Sequence, residues 1–206
     1  ILMPILSKKN INFQTVFSRN GLDSTLLARK FNFRGSSTDT DKVWNDSETN
    51  TLFILTRHNT HAEFIIKGLK NKKNIFVEKP ICTTEKQLED IAKAYKESRN
   101  AQGKGPVLMV GFNRRFSSLT QLLKKDLMKI NSPKAFSFTC NAGYLDKDHW
   151  TNDFEVGGGR LIGEACHFLD LIRYLAESKI KIEEQQYGGY LFDLELLEIK
   201  DDKVVF

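Results

Sequence analysis

The stretch at 51–80, TLFILTRHNTHAEFIIKGLKNKKNIFVEKP, sets two short apolar runs on either side of one amphipathic segment. TLFILT at 51–56 and NIFVE at 74–78 have the length and continuity of strands buried on both faces. Between them, at 60–71, Ala62, Ile65, Ile66 and Leu69 recur on one face of a helix, with Thr60 where a capping hydroxyl is expected. A strand, a helix and a strand joined by short links predict a parallel βαβ unit.

The same alternation continues outward. Upstream, NFQTVFSR at 12–19 reads as a strand and LDSTLLARKF at 22–31 as a helix with Asp23 or Ser24 near its start. Downstream, a helix is expected over 84–98, with Leu88, Ile91, Ala92 and Tyr95 as its apolar stripe, then a loop at 99–106 and a strand at 106–112. The expectation over 1–112 is a doubly wound parallel α/β sheet. After Phe112 the pattern changes. A helix is expected over 113–130, a half-exposed strand over 134–144, an irregular piece, and an apolar helix over 161–178. Residues 113–206 are therefore expected to form a second domain.

In an open parallel sheet, ligands lie beyond the carboxyl ends of the strands. Ser18-Arg19, Thr56-Arg57-His58 and Glu78-Lys79-Pro80 all occupy such ends. Singly, each reads as a solvated surface group; together, they mark a rim. In the second domain, Glu164, His167, Asp170 and Arg173 recur every three residues and draw one polar line along an otherwise apolar helix. Such a line faces either water or a cavity, because polar groups are costly in a core. Gly157-Gly158-Gly159 just before it permits close backbone approach and favours a site. Trp150 and Tyr144 offer either a platform for a sugar ring or ordinary packing.

Composition narrows the classes. The chain of 206 residues carries a formal charge of +5, but its basic residues are interspersed with acidic ones, so no nucleic-acid partner is expected. No apolar run reaches the length of a membrane span. Cys82, Cys140 and Cys166 lie far apart and suggest no disulfide framework, which points to a reducing cytoplasm. Cys140, Cys166, His149 and His167 match no common zinc spacing, and no metal is expected. The apolar start at Ile1, in mid-pattern, is expected to lie inside a longer chain.

TRHNTHAEFIIKGLKNKKNIFVEKPICTTEKQLEDI, VGFNRRFSS and GGGRLIGEACHFLDLIRYL, in this order and spacing, resemble the Gfo/Idh/MocA oxidoreductases, and among them the bi-domain oxidoreductase group. The resemblance implies a nicotinamide-binding Rossmann domain whose first strand and glycine-rich turn precede Ile1. It also implies a following α/β domain, truncated here, with a mostly antiparallel open sheet that often makes a homo-oligomer contact. The implied activity is NAD(P)-dependent hydride transfer at a hydroxyl or keto group of a sugar, cyclitol or nucleotide sugar. Lys79 would bridge the nicotinamide ribose and the substrate hydroxyl, Glu78 and Pro80 would shape its turn, and His167 would be the acid/base. Thr56, Arg57, His58 and His61 fall on the cofactor side, and Asn113, Arg114, Trp150, Glu164 and Asp170 on the substrate side.

Two departures stand out. Many members carry Asp-x-x-x-His, whereas Gly163 stands four residues before His167 and the acid is Glu164, which either replaces the carboxylate or points elsewhere. The usual Thr-Pro-Asn-x-x-His reads Thr56-Arg57-His58-Asn59-Thr60-His61. A non-catalytic sensing protein on this fold, or an inactive fragment, is the alternative. The strand end Ser18-Arg19, with no carboxylate before Asp23, favours NADP over NAD, since a guanidinium pairs with a 2′-phosphate that a carboxylate would repel.

Overall fold

A computed structural model describes residues 2–177, 198–200 and 203–205. The chain divides into two compact units, one comprising 1–56, 60–77 and 85–109, the other 57–59, 78–84 and 110–206.

The first unit is built from parallel strands and the helices that connect them. A short helix α1 (Leu2–Leu6) leads to β1 (Thr15–Phe17), α2 (Gly21–Phe31), β2 (Gly35–Ser37) and the single turn α3 (Asp41–Trp44). β1 and β2 are parallel, with Val16 opposite Ser36. Next come β3 (Thr51–Ile54), α4 (His61–Lys70), β4 (Asn74–Val77), α5 (Glu85–Glu97) and β5 (Leu108–Val110). β3 and β4 are parallel, with Leu52 opposite Ile75 and Ile54 opposite Val77, and β4 lies between β3 and β5. The predicted βαβ unit is thus formed. Its core is the apolar face of α4 laid on these strands: Ile65, Leu69 and Val77 are fully enclosed, and Leu52, Ile54, Ala62 and Ile75 nearly so. Each such Val, Leu or Ile side chain contributes about 1.5–3 kcal/mol of burial.

Capping departs from expectation at two helices. α2 begins one residue before the predicted span because Asn20 caps it, its side chain accepting from the Leu22 amide at 3.0 Å. Thr60 does not cap α4; its hydroxyl instead meets that of Thr56 at 2.6 Å. On α5 the buried residues are Ile91 and Ala94, while Leu88 and Ala92 of the predicted stripe are exposed.

In the second unit, a 3-10 turn (Asn113–Phe116) precedes α6 (Ser118–Leu127), which Ser117 caps through the Thr120 amide. The predicted strand over 134–144 is not formed: among the described residues this segment has no ladder partner, and alternation alone cannot satisfy a strand's backbone groups. The apolar helix is split. Residues Leu161–Ala165 form a π-helical turn, and α7 (Cys166–Ala176) follows. α6 is fastened to α7 by Lys124, whose buried Nζ donates to Tyr174 O and pairs with Glu177, both at 2.7 Å. Of the C-terminal strands, β6 (Glu198–Lys200) and β7 (Lys203–Val205) pair antiparallel; the rest of 178–206 lies outside the described residues.

Candidate active site

The second unit gathers Lys79, His58, Trp150, the glycine segment and the start of α7. β4 ends at Val77, and the chain then turns through Glu78, Lys79 and a buried Pro80, the Lys79–Pro80 peptide being cis. The Lys79 ammonium donates to the carbonyl of Gly163 at 2.6 Å. That carbonyl belongs to the π-helical turn, a form in which the normal backbone ladder is interrupted and which recurs at functional sites.

One turn on, His167 is half-buried, and its Nδ1 is enclosed with no hydrogen-bond partner among the described residues. Burial lowers the His167 pKa below its ordinary value of 6.5; the charges of Lys79 and Arg114 act in the same direction, and Asp170 opposes them. The ring is therefore neutral near neutral pH. Phe112 presents its ring edge-on to His167 at a centroid distance of 6.3 Å. The neighbouring Cys166 thiol is pushed up by burial, as is that of Cys82, so neither is an activated nucleophile.

The remaining predicted residues fall into three groups. Trp150 joins Lys79 and His167 in this unit, its ring 4.8 Å from that of His58, with the Arg57 guanidinium 5.7 Å from its centre. Glu164 turns to Arg160 at 3.0 Å, and Arg160 also donates to the carbonyls of Gly143 and Ala142, so this carboxylate serves an ion pair on its own helix. Asp170 is buried and held by one edge of the Arg115 guanidinium, with Nε donating to Oδ2 at 2.6 Å and Nη2 to Oδ1. Arg114 is exposed, its guanidinium 4.6 Å from the Phe168 ring centre, and Asn113 is exposed beside it. Ser18, Arg19, Thr56 and His61 belong to the first unit. There Arg19 is exposed, the Ser18 hydroxyl accepts from the Asn20 amide at 3.3 Å, and the fully buried His61 lies 3.0 Å by Nε2 from Thr56 O.

Two participants escaped the sequence reading, and a third, His58, was expected on the cofactor side but not as a buried link. Arg115 is the second arginine of NRRF, and only folding brings it 55 residues forward to Asp170. Gly163 acts through its carbonyl, which no side-chain pattern announces. His58 is buried, with Nδ1 2.7 Å from Gly157 O, although it reads as a polar strand-end residue.

The family model described as "Oxidoreductase family, NAD-binding Rossmann fold" (Gfo/Idh/MocA) matches residues 2–112. The scyllo-inositol 2-dehydrogenase (NAD(+)) of Bacillus subtilis is 29% identical over 157 residues, 75% of this chain and 43% of that protein. The myo-inositol 2-dehydrogenase of Thermotoga maritima is 27% identical over 77% of this chain and 45% of its own length. Among solved structures, a levoglucosan dehydrogenase in complex with NADH and levoglucosan superposes with a TM-score of 0.65 at 26% identity, covering 79% of this chain and 44% of that one. The chain thus spans less than half the length of these relatives.

Proposed function

Since the chain belongs to the Gfo/Idh/MocA oxidoreductase family, with its NAD-binding Rossmann fold, we propose that the protein it represents is a nicotinamide-dependent dehydrogenase. Its substrate would be a hydroxyl or keto group of a sugar or cyclitol. The observation that carries this reading is the pairing of Lys79 with the π-helical turn immediately before His167, a neutral imidazole with an unpartnered buried nitrogen. A buried polar atom without a partner is rare and marks a place where a ligand group completes the bonding.

The residues present fit a dinucleotide at its reactive end. When bound, the nicotinamide supplies the hydride acceptor or donor. The chain's own work is proton and charge management. Neutral His167 accepts the proton of a substrate hydroxyl, or returns it to a carbonyl in the reverse direction, and its lowered pKa keeps it in the accepting form. The Lys79 ammonium, oriented by Gly163 O, stabilises negative charge developing on that same oxygen. Trp150, with Arg57 over its ring, forms an apolar wall suited to a sugar face. Residues 1–112 serve the cofactor, with Thr56 and His61 at the end of β3, and residues 113–206 serve the substrate and a contact between copies. Ser18 and Arg19 at the end of β1 favour NADP.

The test is reduction of NAD+ or NADP+ by the full-length protein with a panel of inositols and anhydro-sugars, before and after His167→Ala. Turnover is expected to fall by ~10² to 10⁴, the scale for a positioned acid/base. Near-parental turnover in the variant would remove His167 from the chemistry.

A further inference from the structure

His58 and Gly163, two positions where the resemblance implies other residues, meet in the folded chain. A Cβ built on Gly163 would lie 3.2 Å from His58 Cε1, whereas its next neighbours, Thr151 Cγ2 at 3.4 Å and Gly157 O at 3.6 Å, leave ordinary room. The imidazole of His58 thus fills the space into which a side chain at 163 would project. It is firmly held there. Its Nδ1 lies 2.7 Å from Gly157 O, and since a carbonyl only accepts, Nδ1 carries the hydrogen. The amide of the next residue, Asn59, donates to Val156 O at 3.1 Å, and Trp150 stands edge-on against the ring. Gly157 cannot easily yield either, because any Cβ there would fall 2.5 Å from the backbone of Thr151.

We propose that His58 is a positioning residue: it locks the glycine segment to the π-helical turn and so fixes the Gly163 carbonyl that orients the Lys79 ammonium. The inference rests on the proposed role of Lys79 and His167, and gives the absent side chain at 163 a reason. A ring held at 58 and a glycine at 163 are one device. With the ring in place, a methyl at 163 must push the helical turn, moving the carbonyl away from Lys79. The charged groups acting on His167 are Lys79 and Arg114, with Asp170 opposing, so a displaced Lys79 registers in the titration of His167.

The experiment is ring-resonance NMR on the full-length protein, free of cofactor; within residues 1–206 the four histidines His58, His61, His149 and His167 are assigned by single substitution. The ¹⁵N shifts of neutral His58 are expected to show hydrogen on Nδ1; hydrogen on Nε2 alone would overturn the proposal. Gly163→Ala is expected to raise the His167 titration midpoint by about half a unit or more, through loss of the nearby cation. The double variant Gly163→Ala/His58→Asn is expected to restore it, because Asn keeps a donor for Gly157 O and vacates the ring's outer half. An unchanged midpoint in the single variant, or no recovery in the double, would overturn the lock. Should Gly163→Ala not fold, the tautomer and a folded double variant still decide it. These measurements need no turnover. Failure to find dehydrogenase activity would instead sink the functional reading while leaving the lock intact. In the active protein, Gly163→Ala is expected to lower kcat more than it raises KM, and the double variant to recover most of that loss.

Discussion

At the level of single residues, His167 is governed by burial and by the charges of Lys79 and Arg114, which all lower its pKa against the opposing Asp170. Burial disfavours the imidazolium, and the Lys79 ammonium disfavours it further, so the folded-state pKa lies below 6.5. Below 6.5 the unfolded chain therefore binds a proton more readily than the folded one. This group costs no stability above pH 6.5, begins to cost it as the pH falls through that value, and reaches its full cost below the lowered folded pKa. Under the proposed dehydrogenase reading, catalysis would follow the same titration. For alcohol oxidation the neutral ring is the active form, so the acid limb of log kcat/KM is expected below pH 6.5. Lys79→Met removes one of the three depressing influences. It is expected to move that limb upward, towards 6.5, while lowering kcat throughout. A limb that stayed in place in the pH–rate profile would mean that Lys79 does not act on His167.

At the level of elements, the 3-10 turn carrying NRRF is tied to α7 by one ion pair. The Asp170 side chain is only 7% exposed and the Arg115 side chain 33%. Removing the arginine leaves a buried carboxylate without its partner. Arg115→Ala is expected to cost about 3 kcal/mol, the low end for breaking a buried pair, because water already reaches a third of the guanidinium. Arg115→Ala/Asp170→Asn is expected to recover much of that. Chemical denaturation of both variants is the measurement, and a loss of under about 1 kcal/mol for the single variant would reduce the pair to surface strength. Period and burial made the βαβ unit legible, with 3.6-residue spacing giving α4 and short apolar runs giving β3 and β4, whereas β2 and α3, each too short to show a period, were not read. Caps were less legible, since Asn20 and Thr60 are both plausible cappers, and only geometry shows that one bonds its helix and the other a neighbouring hydroxyl. Periodicity also cannot distinguish a π-helical turn from an α-helical one, so 161–178 read as a single helix. The members of the polar line on that helix divide in the fold: among the described residues His167 has no partner at Nδ1, while Glu164 and Asp170 are claimed by Arg160 and Arg115.

At the level of the whole molecule, residues 2–112 match an NAD-binding Rossmann fold, and the general rule for such folds puts cofactor choice at a strand end. β1 ends in Ser18-Arg19, alongside the end of β2, where Ser37 O accepts from the Ser18 amide at 3.3 Å. Arg19 is exposed, so its guanidinium can reach a bound phosphate. Asp23, the first carboxylate after the strand, lies within the first turn of α2. A ribose 2′-hydroxyl calls for an acceptor at such a strand end, and a 2′-phosphate calls for donors and positive charge. Serine and arginine supply the latter, with the planar guanidinium able to donate twice. The Bacillus subtilis relative is named for NAD(+), and the levoglucosan dehydrogenase was solved with NADH, so an NADP preference here would set this protein apart from those two. The expected outcome for the full-length protein is tighter binding of NADPH than of NADH by calorimetry. Arg19→Ala is expected to weaken NADPH by roughly tenfold, the equivalent of losing a charge-assisted hydrogen bond, and to leave NADH nearly unchanged. Equal losses for both dinucleotides would place Arg19 over the adenine instead, and a parent that preferred NADH would refute the assignment.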